Sequence, residues 1–85
     1  MAKRSNFIAD VTIHNEVIEG NEGNWRLCFQ ACTYHYDDES AEDGYRFIWR
    51  TPEGALQPAR GQARIPSATV LTSLIARAYL QGWLR

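Results

Sequence analysis

The chain has 85 residues, 45% hydrophobic and 22% charged, which is the composition of a small globular domain and excludes a disordered chain. A chain this short buries roughly 60–65% of its unfolded surface, enough for one modest core. The net charge of −1 gives no overall attraction to nucleic acid, and no segment approaches the roughly 20 apolar residues that cross a bilayer.

Residues 1–6 read as a disordered basic tail with no apolar core behind it, so no secretory signal is expected. Residues 7–85 read as a single α+β domain. The first strand is expected from Phe7 to Glu19, where Phe7, Ala9, Val11, Ile13 and Val17 keep a period of two. The cluster Gly20-Asn21-Glu22-Gly23-Asn24 predicts a turn. The second strand is expected from Trp25 to Tyr36, with Trp25, Leu27, Phe29 and Ala31 again on odd positions. Residues 37–43 hold five acids and read as a solvated loop. The third strand is expected from Gly44 to Thr51. Leu56 to Arg64, interrupted by Pro58 and Gly61, reads as a short edge strand or an irregular crossing. A helix is expected from Ser67 to Gln81, with Ser67 as N-cap and Gly82 just beyond its end. Val70, Leu71, Leu74, Ile75 and Ala78 form its buried stripe.

The fold class is therefore α+β: a three- to four-stranded antiparallel meander with one C-terminal helix packed on one sheet face, in the order β-β-β-(β)-α. Symmetric hairpins would set Val17 against Leu27, Ile13 against Ala31, Ala31 against Trp49 and Thr33 against Phe47. Odd residues then meet odd residues, giving a continuous apolar face for the helix, and a one-residue slip would destroy it. Loop bulges are expected to move the pairs without changing this parity.

The even face carries Asp10 with Tyr34 and Arg46 in one row, and His14 with Gln30 and Arg50 in another. The plain account is a solvated sheet face in which Asp10 and Arg46 neutralise each other. The sharper account is an interface built on Tyr34, Tyr36, Arg46, Ile48 and Arg50, since interfaces enrich tyrosine and arginine. Tyrosines with arginines also stack and clamp single-stranded nucleic acid, although Asp10, Glu16 and the acidic loop oppose phosphate. Arg60 and Arg64, just before the helix, are the candidate anion-binding residues.

Cys28 and Cys32, on one strand, lie about 13 Å apart, too far for a disulfide, and read as free thiols of a reducing, cytoplasmic setting. The same spread excludes one tetrahedral zinc ion. His14 and His35 are expected on opposite faces, so no metal site and no cofactor is expected. No phosphate-cradling glycine motif occurs. A charge asymmetry remains: residues 1–43 carry nine acids and three bases, and residues 44–85 six arginines and one acid. The two halves either neutralise each other across the sheet or form a binding patch.

The strand-strand-strand-helix order resembles double-stranded-RNA-binding domains. The initial helix of those domains is missing, as is the lysine-rich start of their last helix, so the resemblance implies no function here. The leading expectation is a non-enzymatic interaction module that forms a homodimer, or binds a protein partner, through the open sheet face or an edge strand. The alternative is a nucleic-acid-associated accessory protein.

Overall fold

The computed structural model describes residues 8–57 and 64–84. They form β1 (Ile8–Glu19), β2 (Arg26–Tyr36), β3 (Ala41–Arg50), β4 (Leu56–Gln57) and α1 (Ala68–Leu80). The strands make one antiparallel sheet in the order β1-β2-β3-β4, a half-barrel meander followed by the C-terminal helix. The expected basic tail and Arg60 lie outside the described residues.

The core forms where alternation on three strands coincides. Val17 faces Phe29 and Phe29 faces Phe47, while Leu27 faces Trp49. Leu74 and Ala78 of α1 close over this patch, and Val17, Leu27, Phe29, Leu74 and Ala78 are all buried. The Ser67 side chain accepts a hydrogen bond from the Val70 amide, capping the first turn. Gly82, at φ 88°, turns the chain back after the helix. Trp83 thereby stacks on Phe29, with ring centroids 5.5 Å apart. Glu19 pins the helix from the end of β1, accepting from Arg77 at 2.6 Å and Ser73 at 3.0 Å.

Both hairpins depart from symmetry, and beside the first turn β1 sits two residues along, so that Val17 meets Phe29 and not Leu27. The second turn is only four residues long. The Tyr36 amide donates to the Ser40 carbonyl, Glu39 takes a left-handed φ of 69°, and Asp38 Oδ1 accepts from the Ser40 amide. Ala41, Glu42 and Asp43 are therefore strand residues and not loop. Acids are tolerated there because their side chains find cross-strand donors: Thr33 donates to Asp43 and Tyr36 to Glu42. The tighter turn slides β3 by four residues, so Ala31 faces Tyr45 and Leu27 faces Trp49. An even shift preserves which side chains share a face.

The other difference does not preserve it. A bulge lies between Ile13 and Asn15, where Asn15 pairs with Ala31 but Ile13 pairs with Cys32. The extra residue, His14, turns Asp10 to Ile13 over, until a second irregularity between Ile8 and Asp10 sets Ile8 against Tyr36. Val11 and Ile13 leave the helix-side face and join Tyr34 and Cys32, while Asp10 and Thr12 join His35 and Thr33. The expected parity holds across the second turn and fails here, because this bulge lies within the strand and not in a loop.

Candidate functional site

The even-numbered face of β2 is not an open row of side chains. Ile18, Cys28 and Ile48 align across three strands, and Glu16, Gln30 and Arg46 form the adjacent row. The rows expected from symmetric hairpins, Asp10–Tyr34–Arg46 and His14–Gln30–Arg50, are replaced by these. Cys28 and Gln30 have no accessible surface, and Cys32 and Ile48 are also buried. A buried glutamine must satisfy both ends of its amide. Gln30 Nε2 donates to Glu16 Oε2 at 2.5 Å, and Gln30 Oε1 accepts from Arg46 Nε at 2.7 Å. Arg50 completes the network through Nε and Nη2 to the two oxygens of Glu16, at 3.1 and 3.0 Å, and through Nη1 to the Gly54 carbonyl.

Burial pushes the Glu16 carboxyl up, but the hydrogen bonds from Arg50 and Gln30 and the Arg50 charge outweigh it and hold it below its ordinary 4.5. Burial, with the Glu16 carboxylate adding to it, pushes the Cys28 thiol up to about 11. Burial also raises Cys32. Both cysteines are free and buried, and thiols held protonated this way are poor nucleophiles.

The sequence-proposed interface residues are therefore distributed as follows. Arg46 and Arg50 are half-buried and hydrogen-bonded to the sheet itself, and Ile48 is buried. The Tyr34 ring lies over Gly44, where an added Cβ would stand 3.0 Å from its Cε2. Burial raises the Tyr34 hydroxyl pKa. Tyr36 donates to Glu42. Of the two candidate anion-binding arginines, Arg64 is exposed, and its carbonyl accepts from Trp49 Nε1 at 3.1 Å.

The bulge also corrects the placement of the histidines, which share one face. His14 Nε2 donates to Thr33 Oγ1 at 2.6 Å, because the Thr33 hydroxyl proton goes to Asp43 Oδ1 at 2.6 Å. His35 Nε2 pairs with Thr12 Oγ1 at 2.9 Å. Among the described residues, no group of three or more His, Cys, Asp or Glu side chains is arranged to hold a metal ion.

What sequence reasoning missed is the outer side of α1. Leu71, assigned to the core stripe, is 36% exposed, and Tyr79 and Leu80 are 63% and 80% exposed. With Ile75 and Leu84 they line a groove of about 510 Å³, floored by the small residues Thr72 and Ala76. The signal was present in the breadth of the apolar arc. A helix with Val70, Leu71, Leu74, Ile75, Ala78, Tyr79 and Leu80 is apolar on more sides than one sheet covers.

No helix among the described residues is long and apolar enough to cross a membrane. Comparison with protein families, with curated proteins and with solved structures finds no match to this chain, so its functional reading rests on geometry.

Proposed function

We propose that the protein is a non-enzymatic interaction module that self-associates, and that the outer face of α1 is its self-contact. The observation that carries this reading is the exposed apolar groove of Leu71, Ile75, Tyr79, Leu80 and Leu84 on an already packed helix. The occupant is a second copy of this chain. A two-fold contact sets each residue close to its own equivalent, so a charge near the axis repels itself. None of the described residues lining this groove is charged. The one basic residue in the last turn, Arg77, is turned to Glu19. Thr72 and Ala76, one helical turn apart, let two such helices approach closely.

The sheet face supports this choice by elimination. Arg46 and Arg50 are engaged by Gln30, Glu16 and the Gly54 carbonyl, which leaves these two poorly placed for phosphate or for a partner's carboxylates. The raised thiols of Cys28 and Cys32 weigh against covalent catalysis.

Sedimentation velocity tests the reading. The wild type is expected to form dimers in the micromolar range, and the Leu71→Lys/Leu80→Lys variant to remain monomeric with an unchanged thermal melt. A wild type that stays monomeric at high micromolar concentration overturns self-association. A dimer that survives the double variant overturns the helix as its contact.

A further inference from the structure

The helix covers only part of its sheet face. Beyond Phe29 the same face continues as Ala31, Thr33 and His35 on β2, flanked by β1 after its bulge and by the start of β3. Ala31 is the smallest of these side chains, and it sits between Asn15 and Tyr45, its neighbours on either strand. The result is a groove of about 390 Å³ with Ala31 as its floor. His14 and Asn15, the two residues brought together by the bulge, make one wall, and Asp43 and Tyr45 make the other.

The groove is preorganised. Tyr45, half exposed, stacks on Phe29 at 5.8 Å and on Trp83 at 6.5 Å, and its hydroxyl reaches the Trp83 carbonyl. The chain from His14 through Thr33 to Asp43 fixes both walls from behind. Thr33 occupies only Oδ1 of Asp43, so the carboxylate keeps accepting capacity and its charge. Asp10 adds a second negative charge on this face, beside His35. No lysine or arginine stands on this end of the face in β1, β2 or β3.

We propose that this groove binds a guanidinium group, the side chain of an arginine presented by a partner polypeptide. Three features match that chemistry. The Asp43 carboxylate accepts from a planar N–H fork, the Asn15 side-chain carbonyl is available as a second acceptor, and the supported Tyr45 ring is a surface on which a guanidinium stacks. An ammonium meets only the charge. A carboxylate or phosphate meets Asp43 and is repelled. The site is separate from the outer face of α1, so either proposal stands or falls alone.

The test is an NMR titration of the full chain with N-acetyl-arginine methylamide, the lysine analogue serving as comparison. Saturable amide shifts are expected at His14, Asn15, Gly44 and Tyr45, with a dissociation constant on the order of millimolar, as for a single side-chain ligand. The lysine analogue is expected to bind at least about fivefold more weakly, as loss of bidentate contact and stacking implies. Asp43→Asn keeps the acceptor for Thr33 but removes the charge, and Ala31→Val fills the floor without touching a charge. Each is expected to weaken binding by about fivefold or more. Absence of localised, saturable shifts overturns the proposal, as does binding unaltered by both substitutions.

Discussion

Gln30 stands inaccessible on the central strand between two edge-ward carriers of opposite charge. Its amide sets which of them is its donor and which its acceptor: Arg46 donates to it and Glu16 accepts from it. Glu16 in turn is the shared acceptor of Gln30 and Arg50, with the ion-paired side chains only 18% and 22% exposed. Glu16→Gln leaves Arg50 without its counter-charge and is expected to cost about 1–3 kcal/mol in denaturant unfolding at neutral pH. Because the folded carboxyl titrates below 4.5, its contribution is present above that value and is lost as pH falls. The wild type should therefore lose stability more steeply than Glu16→Gln on acidification. Parallel acid profiles of the two proteins would contradict this.

Cys28 gives the opposite sign. Its folded thiol ionises near 11, against an ordinary 9.0, so its contribution holds below 9 and is lost as pH rises toward 11. Alkylation of the native protein at neutral pH should be slow at both cysteines and fast only after unfolding, as mass spectrometry of quenched samples would reveal.

At the scale of elements, the helix-facing side of β2 and β3 was legible, because period-two alternation separates a strand's two faces whatever the exact register; the burial of the even side at Cys28, Gln30, Cys32 and Ile48 was not. The helix and its cap were legible for a similar reason: Ser67, the apolar spacing and Gly82 agree with one another. The bulge at His14 was not legible. One inserted residue leaves no local composition mark, and Val11 and Ile13 continue the alternation while lying on the opposite face from Val17. Nor was the entry of Ala41, Glu42 and Asp43 into β3, since solvated acids look alike in a loop and on an exposed strand. For the candidate site, residue identity was readable and availability was not. Arg46, Ile48 and Arg50 do share a sheet face, but their hydrogen bonds and burial depend on a register four residues away from the symmetric one. Leu74, with no accessible surface, is the helix residue on which packing turns. Leu74→Ala is expected to cost about 2–5 kcal/mol. A thermal melt unchanged by it would contradict the packing of α1 on the sheet.

For the molecule as a whole, the charge asymmetry along the sequence resolves in part into internal pairing. Two ion pairs among the described residues, Glu16–Arg50 and Glu19–Arg77, join the acidic first half to the basic second half. The described residues that line the outer side of α1 carry none of this charge and form an apolar surface. The central claim is that this surface meets its own copy. Oxidative cross-linking tests it directly, since the native cysteines are buried and a single new thiol reports on its own two-fold neighbour. Ala76→Cys, in the floor of the groove, is predicted to give a disulfide-linked dimer rapidly under mild oxidation. Glu53→Cys, exposed in the turn before β4, is predicted to stay monomeric. Equal cross-linking rates at the two positions, or none at Ala76→Cys, would contradict the account.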